Sequence, residues 1–290
     1  MPATAKVEAR QQSVMAAPEN AEDETRVVVD AGHERLVLVA TELYALAGDD
    51  LEQAVRADLV NTWGKDPATM KFEKLEVAPL RAVAVTPPAG DGKQEANLAL
   101  GVYVGNTDGT VQFLAFYVNP AAAKDMAAVQ SLARKIAATV DAGSKSLFVA
   151  AGPRTFPGIG GEQLGLTVPA GFTASLQDGP DFAVCHVLKL APLGQAPARC
   201  GIYVGGHPAF LFRKTNDPLQ KVDDLKGKLF GENVDWKVWS KDGLFTCEVI
   251  MPYPNGKTGA IHVFCSAGSQ EQMAAMRAVA ESLRVEAVKK

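Results

Sequence analysis

The chain has 290 residues, of which 47% are hydrophobic and 21% charged, and its formal charge is −4. That length suits two domains of ordinary size, and the balance is that of a water-soluble globular protein without the cation excess a polyanion-binding surface needs, so nucleic acid is excluded as a partner. No run reaches the ~18 to 20 apolar residues of a membrane span, and the N-terminus lacks the basic-then-apolar order of a signal peptide.

Residues 1–25 hold few large apolar side chains and are expected to form a disordered tail, either the linker behind a removed, lipid-anchored leader or an ordinary cytosolic extension. The segments 26–30 (RVVVD) and 34–41 (ERLVLVAT) carry β-branched runs around Ala31-Gly32-His33 and read as two strands. Asp49 and Asp50 offer N-caps to a helix through Leu51, Val55, Leu59 and Val60, which stops at Trp63-Gly64. Strands come next at 71–77 and 80–86, then an exposed Pro/Gly-rich loop at 87–92. Residues 96–105 and 110–118 form a hairpin around Asn106-Thr107-Asp108-Gly109. A helix from about 121 to 140 carries the stripe Met126, Val129, Leu132, Ala133, Ile136 and Val140.

A linker at 144–164, rich in Gly and Pro, opens the second half. There the expected strands are 166–172, 182–190 and 198–204, the last two joined by a turn at 192–197. An irregular stretch to about 226 leads to a strand at 233–240. Leu244 to Met251 and Ile261 to Cys265 then alternate with period two on either side of Asn255-Gly256, a hairpin signal. Ser269 caps a closing helix whose stripe is Met273, Met276, Val279 and Leu283. Hairpin followed by amphipathic helix thus occurs twice, with KDMAAVQSLARKIAATV in the first half and EQMAAMRAVAESLRVEAV in the second, and a duplicated domain explains it economically. A second echo, Gly101-Val-Tyr-Val-Gly105 against Gly201-Ile-Tyr-Val-Gly205, is also what chance alternation produces.

All four cysteines lie between 185 and 265. A hairpin centred on Gly256 sets Cys247 opposite Cys265, and a turn centred between Pro192 and Leu193 sets Cys185 opposite Cys200. Two disulfides, or four small buried hydrophobes, are the alternatives. An even cysteine count that hairpins pair tilts the compartment towards an extracytoplasmic one, periplasmic or outer-surface, with the cytoplasm as the other reading.

Few residues carry chemistry by local pattern. His33, His186, His207 and His262 show no i, i+4 pairing and no Cys-x-x-Cys occurs, so no metal site is assigned. The segment 158–165 lacks the third fingerprint glycine and leads into a strand, which makes it a joint rather than a phosphate cradle. No Gly-x-Ser-x-Gly elbow is present, and Asp178, Asp181, Asp223 and Asp224 read as turn formers or a weak cation site. No catalytic residue and no cofactor is assigned. The candidate partner-binding residues are aromatic and cationic: His207, Phe210, Phe212 and Arg213 in an irregular loop, and Trp239 on the face of its strand opposite Trp236.

Leu166 to Phe172, Trp236, Ala260 to Ser266 and Ala278 to Arg284 give the second half an order of strands and closing helix that resembles the PsbP-like superfamily, shared by the photosystem II extrinsic subunit P and the Ran-binding protein Mog. The resemblance implies an α+β fold of two tandem α/β/α sandwich domains, each a twisted antiparallel sheet flanked by helices, and mostly non-enzymatic proteins that bind or stabilise partners. The expected domains are 26–143 and 144–290. The expected function is that of a non-catalytic exported bacterial protein that binds or stabilises a protein partner, at a groove between domains or the 206–214 loop. The alternative is a small-ligand-binding carrier or an enzyme with its site at the domain junction.

Overall fold

A computed structural model describes residues 5–11, 24–31, 34–88, 97–119, 125–141, 146–179, 181–212 and 222–286. The chain divides into two compact units, with the change at Ser146 to Leu147; the first also takes in Ala191–Gln195.

The first unit contains β1 (Ala5–Gln11), β2 (Glu24–Ala31), β3 (Glu34–Leu46), α1 (Leu51–Asn61), β4 (Lys71–Val77), β5 (Leu80–Thr86), β6 (Asn97–Gly105), β7 (Thr110–Val118) and α2 (Met126–Ala137). β1 lies inside the stretch expected to be a disordered tail, and pairs antiparallel with β2. The strands form one sheet in the order β1-β2-β3-β7-β6-β5-β4. Its inner strands read as apolar runs because both faces are covered. Ala82, Ala84, Val102 and Phe116 point to the side of Val129 and Ile136 on α2. Val83, Val85, Tyr103 and Phe113 point to the side of Leu51, Val55 and Leu59 on α1. Both helices start where a capping carboxylate accepts a backbone N–H: Asp50 from Gln53 and Asp125 from Ala128.

The second unit begins with β8 (Gly152–Pro157), which lies within the expected linker and pairs with β9 (Gln163–Val168). Then come β10 (Thr173–Asp178), β11 (Phe182–Lys189), and the two-residue β12 (Ala191–Pro192), which belongs to the first unit. β13 (Ala198–Gly205), β14 (Asp223–Leu229), β15 (Glu232–Lys241), β16 (Leu244–Pro252), β17 (Ala260–Ala267), α3 (Gln270–Glu281) and β18 (Arg284–Glu286) complete it. Its main sheet runs β10-β11-β13-β17-β16-β15-β14. Numbered along the chain within each seven-strand path, both main sheets have the order 1-2-3-7-6-5-4, and in both the seventh strand leads to a helix. The Gly-x-Tyr-Val-Gly echo has no such meaning, since Gly101–Gly105 lies in the sixth strand and Gly201–Gly205 in the third.

The α/β/α sandwiches expected from the resemblance are not what forms. The described residues contain eighteen strands and three α-helices of 11, 12 and 12 residues, so the units are antiparallel, β-rich sandwiches. One helix about 10 Å wide covers two or three strands at ~4.8 Å spacing and leaves most of a seven-stranded face to other elements. In the second unit a three-stranded sheet, β18-β9-β8, supplies the missing layer. Its Phe156, Leu164, Leu166 and Val168 join Met276, Val279 and Leu283 of α3 against Ile202, Trp236, Val249 and Val263 of the main sheet.

Candidate functional site on the outer face of the second sheet

Strand alternation that buries Cys247, Val249 and Met251 turns Thr246, Glu248 and Ile250 to the opposite face. Strand pairing sets one row across that face: Ser175, His186, Gly201, Phe264, Glu248, Lys237 and Asp224, one residue from each of the seven strands. Gly201 is required here, because a Cβ at this position would overlap the ring of Phe264. The Phe264 ring lies across the strand, with its centroid 5.3 Å from that of His262 and 6.5 Å from that of His186. The Arg199 guanidinium carbon stands 5.6 Å from its centre.

Glu248 is 0% exposed. A carboxylate there is tolerated only if its oxygens are taken up, and they are. Oε2 accepts the Leu211 backbone N–H at 2.8 Å and lies 2.7 Å from His262 Nε2, while Oε1 accepts the Phe212 N–H at 3.1 Å. The side chain therefore clamps the loop after β13 onto the sheet. The clamp orients two rings: Phe210 sits 5.1 Å from Phe212 and 6.3 Å from His262, and Phe212 meets Trp239 edge-on at 5.8 Å. All three of Phe210, Phe212 and Trp239 are half-buried.

The candidate residues taken from sequence thus separate. Phe210, Phe212 and Trp239 come together. His207 is exposed and joins through its backbone, whose N–H donates to the Tyr203 hydroxyl at 3.2 Å. Arg213 lies outside the described residues. Glu248, His262, Phe264 and Arg199 were missed as site residues, since period-two alternation marks their face as the solvent side and contains no sign of the loop that covers it.

At the far end of the row His186 is 3% exposed. Burial, with the Arg199 charge beside it, pushes its imidazole down to about 3, so it is neutral near pH 7. An Arg199 terminal nitrogen lies 3.1 Å from Nδ1; as guanidinium only donates, Nδ1 accepts and the proton resides on Nε2. Among the described residues no group of three or more His, Cys, Asp or Glu side chains is arranged to hold a metal ion.

The cysteines lie on the other, core-facing side, and the disulfide expectation is corrected: all four are free and buried. Cys247 is opposite Cys265, as the Asn-Gly turn requires, but Cys265 is also opposite Cys200. Cys185 faces Ile202 and Cys200 faces Val187, because the β11–β13 register is two residues from the one that pairs them. A shift of two keeps the side-chain face, so the four thiols still share one core. The Cys247 thiol donates to the sulfur of Met273 on α3 at 3.4 Å.

No protein-family model matches the chain, and no curated protein matches it by sequence. Structural comparison returns MucB in complex with MucA(peri), at 15% identity and a TM-score of 0.22 over 91% of this chain and 83% of that one. It also returns the type VI secretion immunity protein TplEi of Pseudomonas aeruginosa complexed with "L" peptide, at 14% identity and a TM-score of 0.23 over 90% and 98%. The Pseudomonas aeruginosa MucA/MucB complex matches at 16% identity and a TM-score of 0.23 over 91% and 84%. Likeness at this level carries no inference about this chain.

Proposed function

We propose that the protein is a non-catalytic binding protein whose second unit engages a protein partner through the aromatic face formed by Phe210, Phe212 and Trp239. The observation that supports this is the clamp. A wholly buried carboxylate is spent on fixing two backbone N–H groups of a loop, and the loop presents rings that are only half-buried. Pre-positioned aromatics lose little freedom on association, and such side chains are the usual energetic anchors of protein interfaces. The Glu248–His262 pair has the look of an acid–base dyad, yet both carboxylate oxygens already hold partners that serve the loop. Extracytoplasmic action loses its disulfide argument with the free thiols, and partner binding stands without it. No described helix is long and apolar enough to cross a membrane.

The test is photocrosslinking in the native host with a photoreactive phenylalanine analogue at position 207, on the exposed rim. One discrete protein adduct is expected, with its yield cut about tenfold or more by Trp239→Ala or Phe212→Ala in protein of unchanged thermal midpoint. An adduct indifferent to both substitutions would overturn the assignment of this face.

A further inference from the structure

We propose that the first unit carries a binding pocket for a small aromatic carboxylate, a site separate from the protein-binding face and independent of that reading. α1 packs over β5 and ends at Asn61, and beyond its end the outer face of the sheet borders a half-open cavity of about 270 Å³. Trp63, Met70, Leu98, Phe113 and Tyr117 are among its walls. That volume lies just below the range of drug-sized sites, so the occupant is a small molecule with one or two rings.

Three features distinguish the cavity from a packing gap. The first is Gly101. A Cβ there would stand 2.9 Å from Cε2 of Phe113, so glycine lets that ring lie over the strand and form the floor. The Phe113 ring is 4.7 Å from that of Tyr103 and 6.1 Å from that of Trp63. The second is Trp63, which is 49% exposed and yet held in place. Its indole N–H donates to Asp58 Oδ2 at 3.0 Å, and the same oxygen accepts the Tyr103 hydroxyl at 3.0 Å. Asp58 is 4% exposed, so a buried carboxylate is committed to fixing a ring that remains half in water. A ring fixed at the mouth of an aromatic cavity is a stacking platform that a second ring can meet face-on or edge-on. The third is charge. Among the described residues, Lys65 is the one charged group on the wall. Gly64 takes a φ of 58° at the helix end, and the Lys65 N–H bonds back to the Leu59 carbonyl at 2.8 Å, which brings the backbone of this exposed lysine to the cavity wall. Its ammonium forms no ion pair with a described residue, and a carboxylate is the partner that would complement it.

The test uses the full chain and three ligands with one ring system: 2-naphthoate, the neutral 2-naphthalenemethanol and the cationic 2-naphthylmethylamine. Calorimetry should find one naphthoate per chain with a dissociation constant of about 10 μM to 1 mM, at least about fivefold tighter than the alcohol, with the amine weakest. Lys65→Ala should bring naphthoate and alcohol within about twofold of each other, and Leu98→Trp should weaken both at least about tenfold by filling the cavity. Should Leu98→Trp fail to fold, the indole N–H resonance of Trp63 in the unaltered protein, identified by its loss in Trp63→Phe, must shift on naphthoate addition. No binding of naphthoate below several millimolar, equal affinity for all three ligands, or a Trp63 resonance that stays put would each overturn the proposal.

Discussion

At the scale of the residue, burial decides which groups titrate and which react. Glu42 is 8% exposed, and its carboxyl is pushed up to about 7, chiefly by desolvation and further by the Asp108 charge, against hydrogen bonds from Gln112 and the backbone that favour ionisation. Its folded value lies above the ordinary 4.5, so the stability it contributes is fully present below pH 4.5 and is lost as pH rises through 7. The difference of 2.5 units between 4.5 and 7 sets an upper limit of about 3 kcal/mol. Glu42→Gln mimics the protonated form; thermal denaturation should find it more stable than the parent at pH 8 and indistinguishable at pH 4, and equal melting at both would refute the assignment. The thiols follow the same logic. Burial, with Cys200 adjacent, pushes Cys185 up to about 12, and Cys265 is raised first by thiol hydrogen bonds with Cys200 and Cys247 and then by burial. Since thiolate is the reactive form, an aromatic disulfide reagent at pH 8 should label fewer than about one in ten thiols within minutes in the native protein. All four should react after unfolding without reductant. Release of only two would mean that a disulfide exists.

At the scale of the element, the two units differ in the segment after their third strand. In the first, α1 covers the outer face; in the second, the described part of that segment, 206–212, is the stretch that Glu248 clamps. A loop has no helical ladder to satisfy its own N–H groups, so it borrows acceptors from the sheet. Glu248→Ala removes them and should cost on the order of 3 kcal/mol, with chymotryptic cleavage at Phe210 and Phe212 at least about tenfold faster. Cleavage at the parental rate would show that something other than the clamp holds the loop. This arrangement was half legible in the amino-acid sequence. The rings announced themselves as apolar groups in irregular chain, but Glu248 looked like one more solvent-facing residue of an alternating strand. β14 was missed for a related reason: Asp223–Leu229 is a charged edge strand whose backbone pairs while most of its side chains remain in water, so it has no apolar period to read. Turn chemistry decided the registers. Asn255 and Gly256 take φ of 63° and 68°, and the pairing of Cys247 with Cys265 came from them. In the β11–β13 connection the positive φ falls at Gly194, beyond the centre assumed from the prolines, and the Cys185 and Cys200 register slipped by two.

At the scale of the whole molecule, the repeated hairpin and helix pointed to two units, and the identical strand order extends the pattern to seven strands each. The layer that faces the second sheet was not legible, because it is built from β8, β9 and β18, two of them too short or too polar to show a period. Each apolar core draws its residues from one unit alone, so the cores respond to their own buried titrating groups. These groups have opposite signs. In the first unit Glu42 is raised, and stability falls as pH rises from 4.5 to 7. In the second His186 is lowered from 6.5 to about 3, so its contribution is full above pH 6.5 and is lost as pH falls towards 3. Between pH 4.5 and 6.5 the same change therefore weakens one unit and strengthens the other, and a single unfolding midpoint would average the two. Hydrogen exchange resolved by peptide and corrected for intrinsic rate separates them: as pH rises across this window, protection should fall in β3 and rise in β11. Glu42→Gln should flatten the first trend alone, and His186→Leu the second alone. If both regions move together in the parent, or one substitution flattens both, the units unfold as a single cooperative body and the separate titrations do not govern them.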